Sequence, residues 1–163
     1  MTAAIIAYSL FGHTLRVAQE LALQLGAPLS TIHAPDMKPG PLAMLRFGFA
    51  ALTGQQTRVA LLGPGAAGHD LTILAAPVWA GHVAVPMRSW LKQHPPLPGR
   101  IALVLTGGAA ERPTGVFAEF ARLSGALPCA TLYVGQAMIA AGQDKAAVAA
   151  LCDKLAVQSP LEA

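Results

Sequence analysis

Short, almost wholly apolar runs separated by stretches of helical periodicity constrain the fold of this 163-residue chain more than any other feature. Residues 3–8 read AAIIAY, with none of the polar alternation of a half-exposed strand, as expected for a parallel strand buried on both faces. Residues 70–75, 100–105 and 130–134 are further runs of this type. Between the first two runs, Leu15, Ala18, Leu21, Ala22 and Leu25 recur at helical spacing and stop at Gly26, a natural terminator. Strands alternating with helices in this way predict an α/β doubly wound sheet.

The remaining segments fill in that plan. Residues 28–33 form a weaker strand, and Met37-Lys38-Pro39-Gly40-Pro41 is a turn-rich linker. Leu42, Leu45, Phe49 and Leu52 mark a second helix ending near Gly54. Residues 58–62 are a short extended piece. Helices are expected over 85–94, 113–123 and 144–157. The plan amounts to one domain over residues 1–157, a five-stranded sheet, and a loose tail at 158–163.

Composition narrows the function classes. Apolar residues make up 54% of the chain and charged ones 12%, against the roughly 25% charge usual in soluble domains, so a large core is expected and disorder is excluded. The longest uncharged stretch, 123–143, is broken by Gly125, Pro128, Gly135 and Gly142, which argues against a membrane span. The first residues carry no basic region ahead of their apolar run, so no signal peptide is expected and a cytoplasmic location is the default. A net charge of +3 comes from eleven scattered Lys and Arg residues, which argues against nucleic-acid binding. Cys129 and Cys152 lack metal or redox spacing and read as packing thiols. His33, His69 and His94 form no metal-type pairing, so no metal site is expected.

Three loops carry chemistry. Ser9-Leu10-Phe11-Gly12-His13-Thr14 follows a strand and opens a helix, where amides, the helix dipole and hydroxyls can cradle a phosphate. Pro77-Val78-Trp79-Ala80-Gly81-His82 follows the most hydrophobic strand and places an indole where it can stack on a planar ligand. Thr106-Gly107-Gly108 gives a backbone that a ligand can approach closely. Each loop alone fits an ordinary turn. All three follow strand ends, and so converge on one edge of the sheet. By contrast, Gly63, Gly65 and Gly68 match a dinucleotide fingerprint but lead into a strand, and therefore read as a turn.

On the segment 8–14, the Pro77-Val78-Trp79-Ala80-Gly81 core and the Thr106-Gly107-Gly108 turn, the chain resembles the flavodoxin-like family of FMN-binding proteins. The likeness runs over nearly the whole chain in order and spacing, including residues 48–57. It implies a five-stranded parallel sheet in the order 2-1-3-4-5, with FMN across its carboxyl edge. It further implies that Ser9, Gly12, His13 and Thr14 hold the ribityl phosphate and that Trp79 flanks the isoalloxazine. Pro77, Val78, Ala80 and Gly81 would line the ring, and Thr106, Gly107 and Gly108 would meet its pyrimidine edge. Arg112 could stabilise negative charge beside it. Catalysis would then belong to the flavin, with no side chain required as acid, base or nucleophile.

The chain departs from that family in two respects. Phe11 stands where the family usually has Thr or Ser, and His13 where it often has Asn, which removes a phosphate donor worth about 1.5–3 kcal/mol. The chain also lacks the strongly acidic balance of electron-carrier flavodoxins. The expected function is therefore an FMN-dependent oxidoreductase or electron-transfer protein, with an unidentified reduced donor and a small acceptor such as a quinone. The alternative is a binding or regulatory module whose flavin site has decayed, with Phe11 filling the phosphate pocket. A third reading, docking to an acidic electron-transfer partner, predicts salt-sensitive association. High apolar content with few charges favours a homodimer.

Overall fold

A computed structural model describes all residues except 95 and 159–163. The strands are β1 (Ala3–Ala7), β2 (Leu29–His33), β3 (Ala60–Leu62), β4 (Leu71–Trp79), β5 (His82–Val83), β6 (Arg100–Gly107) and β7 (Ala130–Gly135). The helices are α1 (His13–Leu25), α2 (Ala43–Leu52), α3 (Val85–Gln93), α4 (Thr114–Ser124), α5 (Gln136–Ala140) and α6 (Asp144–Val157).

The five long strands are all parallel and lie in the order β2-β1-β4-β6-β7, the doubly wound arrangement expected from the sequence. The five-strand total needs correcting. β3 adds antiparallel to β2 at one edge, and β5 folds back on the end of β4, making seven strands. β4 and β6 also run two to four residues past the expected ends, so that Pro77 and Thr106 pair across the sheet rather than sitting in loops.

The apolar runs are explained by the two layers that they feed. From β1, Ala4 and Ile6 face one core with Phe47, Met87, Trp90 and Phe120 of the helices. Ala3, Ile5 and Ala7 face the other, with Val17 and Leu21 of α1 and Val148, Leu151 and Leu155 of α6. A strand buried on both sides has no position left for polar residues. The dinucleotide-like glycines serve packing instead: Gly63 sits so close to Ser30 that a Cβ would lie 2.7 Å from its Oγ, and the Gly65 amide donates to the same oxygen.

Helix α2 forms where its periodicity places it, with its faces reversed. Leu42, Leu45, Phe49 and Leu52 point outward, while Ala43, Phe47, Ala50 and Ala51 are buried. The large apolar side chains that define the repeat do not define the core side, which is formed instead by Phe47, stacked on Trp79, and three alanines. At the chain end, Gln158 accepts a hydrogen bond from Arg100 at 3.0 Å, and the rest of the expected tail lies outside the described residues. No helix among the described residues is long and apolar enough to cross a membrane.

Candidate functional site

Order reverses between β1 and β4: β1 connects outward to β2, and β4 connects the other way to β6. Ligands of open α/β sheets bind at the carboxyl ends beside such a switch point. A cavity of about 220 Å³ lies there, walled by the ends of β1, β4, β6 and β7. Its lining includes Ser9, Phe11, His13, Thr14, Pro77, Val78, Trp79, Thr106, Gly107 and Gly108. The three loops singled out in the sequence thus meet at one place. A larger groove of about 770 Å³ on the other flank of α2 holds none of these residues, and its Asp36 and Arg58 are paired with each other at 2.8 Å.

The phosphate-type end is built on the start of α1. Gly12 caps the helix at φ 92°, a conformation that glycine adopts without steric cost, and its amide donates to Ser9 Oγ at 3.0 Å. The first helical hydrogen bond runs from Arg16 N–H to the Gly12 carbonyl, and no side chain caps the helix. The first-turn amides therefore lack the usual capping acceptor and carry the positive end of the helix dipole. The buried Thr14 and Thr106 hydroxyls are 2.8 Å apart and tie the loop to the end of β6. No Asp or Glu lines the cavity to oppose an anion. Phe11 is 53% exposed at the rim, so it does not fill the cradle.

The flat apolar end rests on Trp79. Its indole stacks on Phe47 of α2 at 5.3 Å and 17°, and meets Tyr8 edge-on at 5.6 Å. The indole is therefore fixed in the core, 3% exposed, at the margin of the cavity that it helps to line. Burial raises the Tyr8 hydroxyl pKa well above its ordinary value, and that hydroxyl has no partner among the described residues. Beyond Trp79 the chain reverses through Ala80 (φ 47°) and Gly81 (φ 78°) into His82, a two-residue hairpin of the primed type.

Glu119 of α4 holds that hairpin in place. It accepts from the Val83 amide at 2.8 Å and lies 3.3 Å from His82 Nδ1 and 4.0 Å from the Nε of buried Arg88. Arg88 in turn donates to the Ala51 carbonyl at 2.8 Å, linking the hairpin to the end of α2.

Several expected residues are not on the cavity wall. Gly12 contributes through the loop, and Ala80 and Gly81 occupy the hairpin tip outside the lining. Arg112 turns away: its guanidinium sits 4.3 Å over the Phe117 ring and donates to Thr131 Oγ1. Three lining residues were not anticipated as site residues, namely Leu10, Met44 and Gln136. Gln136 follows the last strand directly, so the same strand-end rule that marks the other loops points to it. No sequence signal points to Met44, whose place depends on how α2 rotates.

The sheet order and the position of the cavity define the flavodoxin-like fold, and structural comparison agrees. An FMN-complexed flavoprotein from Lactobacillus acidophilus is 18% identical over 86% of this chain and 97% of its own, with TM-score 0.67. A putative flavoprotein from Bacteroides eggerthii is 15% identical over 96% and 99%, with TM-score 0.73. An NADH:FMN oxidoreductase in its apo form is 15% identical over 98% and 92%, with TM-score 0.54. No family model and no curated protein matches the sequence.

Proposed function

We propose that the chain binds FMN non-covalently at the 220 Å³ cavity and works as a flavin-dependent oxidoreductase, taking electrons from a reduced donor to a small acceptor of quinone type. The observation that carries this reading is the meeting of two unlike ends in one cavity: an uncapped helix start flanked by hydroxyls, and a flat apolar wall. Those ends match a ligand with a phosphate at one end and a planar ring system at the other. The cavity is smaller than the ~300–1,000 Å³ typical of small-molecule sites. FMN would therefore stand partly outside it, with part of the ring in solvent. The solved flavoproteins of this fold, one of them an FMN complex, support the assignment.

In this reading the amides of the α1 start, with Ser9 and Thr14, hold the phosphate, and His13 stands beside it. Pro77 and Val78, backed by the buried Trp79, give the ring an apolar face. Gly107 and Gly108 let backbone donors approach its polar edge; a Cβ on Gly107 would already crowd the Tyr133 hydroxyl at 3.1 Å. Bound FMN supplies one- and two-electron redox chemistry, and the protein supplies position, desolvation and charge. The lack of acidic residues in the lining leaves negative charge on the ring unopposed, which suits reduction of a small acceptor better than a very low-potential shuttle.

Titration of the protein with FMN, read by quenching of flavin fluorescence, tests this. Saturable binding at micromolar or tighter affinity is expected. Gly108→Leu should weaken it at least about tenfold, or ~1.4 kcal/mol. A Cβ at Gly108 meets nothing closer than 3.8 Å and the residue lines the cavity, so the substitution adds bulk at the site without crowding the backbone. Wild-type protein that ignores FMN up to about millimolar concentration would refute the assignment.

A further inference from the structure

We propose that Tyr133 of β7 is a positioning residue of the candidate site: its hydroxyl holds the loop after β6 where Gly107 and Gly108 meet a bound ring. The inference rests on the FMN reading above and adds to it a residue outside the cavity lining.

Packing alone does not fix this loop. Residues 108–112 are all exposed, so none of them anchors the backbone in the core. Among the described residues, the only hydrogen bond to residues 108–111 comes from the Tyr133 hydroxyl, which donates to the Ala109 carbonyl at 2.8 Å. Side chains alternate along a strand, so Thr131, Tyr133 and Gly135 share one face of β7. Thr131 accepts from Arg112 at the far end of the loop, and Tyr133 grips it near the cavity. A Cβ on Gly135 would lie 3.4 Å from the Ala109 carbonyl oxygen, so the loop rests close against this strand.

Gly107 shows how closely the parts fit. It pairs with Gly135 across the sheet, and a Cβ on it would lie 3.1 Å from the Tyr133 hydroxyl. An alanine there would push that hydroxyl away from Ala109. The loop is thus held before any ligand arrives, which lowers the ordering cost of binding. Backbone donors fixed at the polar edge of a flavin are worth more once the ring is reduced and carries more negative charge there.

Tyr133→Phe removes the hydroxyl and keeps the ring. In the ligand-free protein, amide nitrogen NMR relaxation should show residues 108–111 more mobile in the variant than in wild type, with a urea midpoint little changed. FMN should bind about tenfold more weakly. The reduced form should lose about tenfold more than the oxidised form, lowering the two-electron potential by ~30 mV. Gly107→Ala should weaken FMN binding on its own but add little to Tyr133→Phe, where the next atoms around the Cβ stand at 3.5 and 3.6 Å. A Tyr133→Phe variant that matches wild type in FMN affinity and potential would overturn the proposal and leave the FMN reading intact. Equal weakening of both oxidation states with a lowered urea midpoint would reduce Tyr133 to a structural role and overturn it too. A wild type that ignores FMN would overturn both.

Discussion

Trp79 and Phe47 lie 5.3 Å apart and nearly parallel, so the indole at the candidate site is packed as tightly as a core residue. Its role cannot be tested by truncation alone. Trp79→Ala should cost about 3–5 kcal/mol of stability by leaving a void between β4 and α2. Trp79→Phe keeps an aromatic wall and should lose much less. Comparing the two by urea denaturation, then titrating only Trp79→Phe with FMN, separates a wall that contacts ligand from one that merely supports the fold.

Glu119→Gln removes the carboxylate that faces His82 and buried Arg88 while leaving an oxygen for the Val83 amide. A loss of about 1–3 kcal/mol is expected. If Glu119 positions the hairpin, the variant should also bind FMN more weakly while its circular dichroism spectrum stays the same. Restoring the carboxylate one carbon shorter, with Glu119→Asp, should recover little, because the bond to Val83 would be out of reach.

Asp144, at the start of α6, is buried and accepts two hydrogen bonds from Arg16 of α1 at 2.7 and 2.9 Å. Those bonds hold its carboxyl below the ordinary value of 3.8. A carboxyl whose pKa is lower in the folded state stabilises it above the unfolded pKa, and that contribution disappears as pH falls through the folded pKa. Asp144→Asn should therefore cost about 1–2 kcal/mol at pH 7, the half-exposed Arg16 softening the loss. The gap between variant and wild type should close below about pH 4, as followed by urea midpoints across pH.

Thr72 lies fully buried in β4, and its hydroxyl has no partner among the described residues. Thr72→Val keeps the shape and the β-branching and removes the unmet polar group. A gain of about 1 kcal/mol is expected, or a rise of roughly 2–4 °C in Tm. An unchanged or lowered Tm would mean that the hydroxyl is satisfied in solution.

The elements that the sequence reveals are those whose local pattern and tertiary role agree. Helix α6 spans residues 144–157 as its pattern indicates, and the five parallel strands stand in the expected order. The hairpin at Trp79–His82 was hidden because its turn places alanine at φ 47°, where Asn or Gly would have announced it. Pro77 likewise reads as a strand end, yet β4 continues through it: Pro77 pairs with Thr106, and its carbonyl accepts from the Ala84 amide. The reversed face of α2 goes with the packing of Phe47 on Trp79, a tertiary contact that periodicity does not encode. Arg112 looked like a site residue because it follows a glycine turn, but Phe117 and Thr131 hold it elsewhere.

The three-residue strand β3 does more than lengthen the sheet. It covers the open side of β2 with a segment too short to offer much of a template, and the chain then turns away through Gly63 and Pro64, a residue with no amide to donate. A molecule this rich in buried parallel strand thereby blunts its β2 edge, so any strand addition during heating should begin at β7, the terminal strand on the other side of the sheet.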